Sequence, residues 1–173
     1  KTVMILLETI SKDLNIPQSL LDEAILHCRK SVTHLEIPKR DGSSRRVYQP
    51  TNKIKVIQYW LINHLFNKLE IHDCAMAYQK DKSIKLNAES HRCNKYFLKL
   101  DFKNFFPSVK FKDFAPYIQG WNKNQETPFM ENDLLENIRL SCFYFNENIL
   151  PIGFPTSPII SNIVMCGFDK KIT

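Results

Sequence analysis

Glycine is scarce in this sequence: four residues of 173, against twelve phenylalanines and six tyrosines. That balance excludes a flexible, linker-like chain and describes a packed, aromatic-rich globule. No apolar run approaches the roughly 20 residues of a membrane-spanning helix and no signal-peptide pattern opens the chain, so no membrane partner is expected. The five cysteines, Cys28, Cys74, Cys93, Cys142 and Cys166, are odd in number and widely spaced, with no C-x-x-C pair. A zinc site or a disulfide framework is therefore not expected, and a reducing, cytoplasmic setting is. Internal repeats and low-complexity tracts are also missing, and nothing reads as a linker between domains.

What is present suffices for one domain with a real core, since 43% of the residues are apolar. The net charge of +6 fits a polyanionic partner without requiring one. Its distribution says more. Lys39, Arg40, Arg45 and Arg46 crowd one short segment, and Lys80, Lys82, Lys85, Arg92, Lys95 and Lys99 follow in a second.

Apolar spacing predicts helices over residues 2–14 and 19–30, separated by Asn15-Ile16-Pro17. Asp41-Gly42 between two alternating runs predicts a β-hairpin with the basic residues flanking its turn. Such a hairpin is either a solvated basic finger or an anion-binding one. Residues 52–69 read as a long amphipathic helix whose apolar side includes His64, expected there as a satisfied core histidine. Shorter helices are predicted at 84–91, 111–118 and 131–143, with a turn at Asn146-Glu147-Asn148. The fold class is α+β with helices dominant.

Two strings stand out chemically. In the first, Leu98, Leu100 and Phe102 alternate, which suits a half-buried strand over 96–102. Asp101 then leaves the opposite face near the strand end, where a carboxylate can hold a metal ion over a rigid platform. The plainer alternative is an Asp that opens a turn or caps the next helix. In the second, residues 150–158 carry three prolines and Gly153. The prolines fix the backbone, Gly153 lets something approach closely, and Ser157-Pro158 predicts a helix start with serine as N-cap. That helix N-terminus favours an anion.

In this order, a basic hairpin, Asp101-Phe102-Lys103-Asn104-Phe105-Phe106 and an L-P-x-G-x-P-T-S-P loop at Leu150 resemble the reverse transcriptases. Asn87-Ala88-Glu89-Ser90-His91 is similar to the N-A-x-x-H signature of the bacterial retron-type branch, and Tyr78-Gln79-Lys80 and Lys82-Ser83-Ile84 stand before it as they tend to in that branch. The bland reading of Asn87 and His91 is a helix face that bonds locally. Group II intron and abortive-infection relatives, and a non-catalytic RNA-binding relative, stay open at this point.

The resemblance implies the fingers and partial palm of a right-hand polymerase, with a basic β-hairpin and a small antiparallel palm sheet. It divides the chain into an N-terminal helical segment at 1–33, fingers at 34–95 and an incomplete palm at 96–173. The implied activity is RNA-directed DNA synthesis: Mg²⁺-dependent addition of dNTPs to a primer on a structured RNA template, yielding nascent DNA. It further implies phage defence and leaves room for an effector protein. Asp101 becomes the catalytic metal ligand, assisted by the Phe102 carbonyl, and Lys39 and Arg45 become the cations that hold the triphosphate. Phe106 becomes the steric gate against the sugar, while Gly153, Pro155 and Ser157 shape the floor under the nucleotide. Arg46, Asn87 and His91 are the implied RNA contacts. Ile152 departs from the family, which often carries glutamine after Leu-Pro. The family's Y-x-D-D string does not occur in these 173 residues, so the chain is expected to be part of a larger enzyme and not to polymerise alone.

Overall fold

The structure, a computed structural model, describes residues 3–30, 32–39, 42–144 and 148–173. Helix α1 (Leu6–Leu14) buries Leu6, Leu7 and Ile10 on one face and ends where Asn15 turns left-handed at φ 51°. Its first N–H is not left orphaned, because the Asp133 carboxylate accepts from the Leu6 amide at 2.7 Å. Helix α2 (Gln18–Leu26) follows Pro17 and buries Leu21, Ala24 and Ile25. Strands β1 (Val32–Pro38) and β2 (Ser44–Pro50) pair antiparallel from Val32 opposite Pro50 to Pro38 opposite Ser44. The turn closes with Lys39 N–H donating to the Ser43 carbonyl at 2.7 Å, and Gly42 takes φ +82°. The expected turn partner Asp41 and the basic Arg40 lie outside the described residues, as do Thr2, Asn146 and Glu147 of other predicted elements.

Helix α3 (Asn52–His64) buries Ile54, Ile57, Trp60 and Leu61, and one 3-10 turn (Phe66–Lys68) completes the segment predicted as a single helix. His64 is exposed rather than part of the core. Its ring stacks on Trp60 at 4.4 Å between centroids, and Nδ1 lies 2.9 Å from the Trp60 carbonyl. It is satisfied, as expected, but at the surface, because Trp60 one turn earlier fills the interior below it. Helix α4 (Ile84–His91) starts on Ser83, whose hydroxyl accepts from the Leu86 N–H at 3.1 Å. A one-turn helix α5 (Phe105–Ser108), then α6 (Phe111–Lys123), α7 (Glu131–Cys142) and α8 (Ser157–Ile172) complete the order. Leu6, Ile57, Phe66, Phe114, Ile138 and Ile160 meet in a core shared by α1, α3, α6, α7 and α8, with Phe66 and Phe114 edge to face at 5.2 Å. Burial pushes the Cys142 thiol up to about 12, so it sits in this core as a neutral, apolar group.

Residues 96–102 do not form the predicted strand. No ladder joins them to a neighbour among the described residues, and Leu98 is 84% exposed. Alternation names two faces of a chain; a strand also needs a neighbour for its N–H and C=O groups. Among the described residues the only pairing beyond the hairpin is three isolated bridges, two of which join Ile149 to Lys110 and Tyr144.

Candidate functional site

A cleft of about 1030 Å³ opens between the hairpin, the segment 101–107 and the loop 150–158. It collects most of the residues singled out above: Lys39, Arg45 and Arg46 from one wall, Asp101, Phe102 and Phe106 from the floor, and Gly153, Pro155 and Ser157 from the other side. Asp101 is the only carboxylate on that lining, it is exposed, and no side-chain partner holds it among the described residues.

The floor is shaped by one left-handed residue. Asn104 takes φ 52° and starts α5, a conformation asparagine tolerates better than most residues. The Ser108 hydroxyl locks the turn by donating to the Asn104 carbonyl at 2.9 Å. Phe102 rests edge-on against Phe168 of α8 at 5.7 Å, and Phe105 and Phe106 are half-buried against the core while still lining the cleft. Phe106 therefore combines both readings of it: its anchor is the core and part of its ring faces the cavity.

The hairpin separates its cations. Arg46 pairs with Glu36 at 3.3 Å across the two strands, and that bond, followed by contact with Tyr48, raises the guanidinium pKa further. The Lys39 and Arg45 side chains are exposed and have no such partner among the described residues. Of the three, they are the ones whose charge is left for an anion.

Gly153 shows what its missing side chain admits. At φ +103°, a Cβ would stand 2.5 Å from the Tyr48 carbonyl oxygen and 2.8 Å from Val47 Cγ1. The approaching group is the backbone of β2. One residue earlier, the Ile152 carbonyl accepts from the Tyr48 N–H at 2.7 Å, and Tyr48 is buried with its ring 5.0 Å from Tyr144. The hairpin is thus strapped to the loop, and Ile152 contributes its backbone to the strap. Ser157 is buried and donates its hydroxyl to the Pro151 carbonyl at 2.5 Å. It is not the N-cap. The first helical bond runs from Ile160 N–H to the Thr156 carbonyl, so the cap falls on Thr156 and Ser157 serves to close the loop.

Asn87 and His91 lie on α4, away from the cleft lining. Their hydrogen bonds among the described residues are local: the Asn87 carbonyl accepts from the Ser90 hydroxyl at 2.7 Å, and His91 Nδ1 lies 3.3 Å from Asn94 Nδ2. Three further lining residues had no signal as site residues. Lys55 and Tyr59 stand one turn apart on the polar side of α3, and Tyr78 projects from the loop before α4. The i, i+4 spacing of the first two was readable as a shared face; the position of Tyr78 was not.

The profile for the reverse transcriptase (RNA-dependent DNA polymerase) family matches residues 37–173. The chain belongs to the reverse transcriptase family. Its likeness to curated members points to the retron-type branch. It is 45% identical over 141 residues to the retron Ec73 reverse transcriptase of Escherichia coli, covering 80% of this chain and 44% of that protein. Identity to the retron Ec83 reverse transcriptase of Escherichia coli is 35% over 181 residues, or 95% of this chain and 54% of the relative. The retron Mx162 reverse transcriptase of Myxococcus xanthus is 28% identical over 179 residues, with 96% and 37% covered. The chain therefore spans about half the length of the curated relatives it matches. As a member of this family it carries a partial fingers-and-palm fold, helical for the most part with a basic two-stranded hairpin.

Proposed function

We propose that this chain supplies the fingers (34–95) and the first part of the palm (96–173), behind a helical segment (1–33), of a polymerase that copies a structured RNA template into DNA. The observation that carries this reading is the convergence of hairpin, Asp101 segment and proline loop on one cleft. Asp101 and the Phe102 carbonyl offer hard oxygen donors to Mg²⁺. When bound, Mg²⁺ would neutralise charge on the phosphates and help activate the attacking 3′-oxygen. The chain's own residues orient the nucleotide: Lys39 and Arg45 compensate the triphosphate, Phe106 closes against the sugar, and the Gly153 strap keeps the hairpin cations facing Asp101. Nucleotide addition that uses two Mg²⁺ ions needs more than one carboxylate, and among the described residues the cleft lining has only Asp101, so the 173 residues by themselves are expected not to extend a primer. Arg46 on the cleft wall, and Asn87 and His91 away from its lining, are assigned to the RNA. Kinship with retron enzymes supports cytosolic phage defence alongside an effector protein.

The test is steady-state extension by the complete polymerase. Charge-assisted bonds of about 1.5–3 kcal/mol correspond to roughly tenfold or more in binding. Lys39→Ala and Arg45→Ala should accordingly raise the dNTP KM by about that factor, with RNA affinity little changed, and Arg46→Ala should raise it less. The reverse pattern would make the hairpin an RNA clamp. Phe106→Ala should increase ribonucleotide incorporation, measured by alkali-sensitive sites in the product. Unchanged sugar selectivity would leave Phe106 a core residue only.

A further inference from the structure

Tyr78 has a backbone that tyrosine adopts at a cost. Its φ is +59°, in the left-handed region where a bulky residue is an outlier. Neighbouring contacts hold it there. The Ala77 carbonyl accepts from Asn162 Nδ2 of α8 at 2.9 Å, and Lys82 Nζ donates to the Asp73 carbonyl at 3.1 Å across the same loop. Yet the ring gains little burial in return: Tyr78 is 65% exposed, and it has no aromatic contact among the described residues. A strained residue kept without packing is a residue kept for where its side chain goes. Here that is the cleft that also holds Asp101.

Tyr59 lines the same cleft from α3 and is 54% exposed, again with no ring partner among the described residues. Lys55, one turn before it, lines the cleft as well. Exposed rings beside cations suit single-stranded nucleic acid, because any base can stack on an aromatic face while its phosphate meets a positive charge. We propose that Tyr59 and Tyr78 form a base-stacking wall for the unpaired RNA template strand as it enters the cleft, an assignment that rests on the polymerase reading above. Tyr59 lies in no string that carries the family resemblance, and Tyr78 stands in one, Tyr78-Gln79-Lys80, to which the resemblance assigns no role.

The experiment measures binding of a fluorescein-labelled, single-stranded oligouridine to the complete polymerase by anisotropy, without primer or dNTP. Tyr59→Ala and Tyr78→Ala should each weaken binding by about tenfold, within the range that loss of one stacked base brings. The slope of affinity against salt should not change, since no cation is removed. Tyr59→Phe and Tyr78→Phe should bind as the parent does. Tyr78→Gly separates presentation from folding, because it relieves the left-handed backbone while deleting the ring; it should be no less stable than the parent and bind as weakly as the alanine variant. Parent-like binding by the alanine and glycine variants would overturn the stacking wall, as would a phenylalanine variant as weak as alanine. The polymerase reading fails separately, by persistence of extension in Asp101→Ala, which this binding measurement does not touch.

Discussion

Asp101→Asn in the complete polymerase is expected to reduce primer extension on RNA by about a thousandfold or more. The reasoning is electrostatic. Asparagine keeps the size of the side chain and one oxygen, but removes the negative charge that attracts a hard cation. Metal stabilisation of transition-state charge is worth several kcal/mol, and each ~1.4 kcal/mol is tenfold in rate, so a loss of about 4 kcal/mol gives that factor. No other side chain described on the cleft lining can substitute, because among the described residues Asp101 is its only carboxylate. Folding should be unaffected, since the side chain is exposed and no partner anchors it among the described residues. Single-turnover extension with saturating Mg²⁺ reads the rate, and circular dichroism checks the fold. Extension within tenfold of the parent would return Asp101 to the plain role of a turn carboxylate.

The second large effect is expected from Gly153→Val. The left-handed backbone, at φ +103°, already disfavours any side chain, and the first added carbon would meet the Tyr48 carbonyl oxygen at 2.5 Å. The listener to this clash is backbone, which cannot rotate aside. Backbone strain and overpacking each cost about 1–3 kcal/mol. The cheapest relief is to break the 2.7 Å bond from Tyr48 N–H to the Ile152 carbonyl and let β2 lift from the loop. The Tyr48 amide should then lose most of its protection from hydrogen exchange, and the dNTP KM should rise because Lys39 and Arg45 no longer face Asp101 from a fixed hairpin. Retained protection at Tyr48 with normal nucleotide use would show that the strap does not position the cations.

Much of this was legible from residue order, for physical reasons that differ by element. The hairpin announced itself because alternation and a glycine-containing turn are local properties, and its register follows from the turn. The helices that bury one face, such as α3 and α7, were readable from spacing alone. The segment 96–102 was misread because pairing belongs to two strands, and one alternating run cannot report whether a neighbour lies beside it. Ser157-Pro158 gave the helix start to within one residue; the shift arises because Ser157 spends its hydroxyl on Pro151 instead of on the helix end. His64 lay on the predicted apolar side, yet Trp60 occupies the space beneath it.

The site was legible in a different way. The three strings carried the resemblance, but none of them could say that Arg46 would be occupied by Glu36 while Lys39 and Arg45 stayed available. That division depends on cross-strand register, as does the identity of the group that presses on Gly153. The left-handed backbone of Tyr78 and its place on the cleft were not legible in the sequence, since they are imposed by tertiary contacts such as the one from Asn162 to the neighbouring Ala77 carbonyl, 85 positions apart.

The central claim is that this cleft is where nucleotide, metal and template meet. The most direct measurement is a structure of the complete polymerase with RNA template, primer, Mg²⁺ and a non-hydrolysable dNTP. The account predicts a metal ion bonded to the Asp101 carboxylate and the Phe102 carbonyl, the triphosphate on Lys39 and Arg45, and the sugar against Phe106. A nucleotide bound elsewhere, with Asp101 facing solvent and no metal on it, would contradict it.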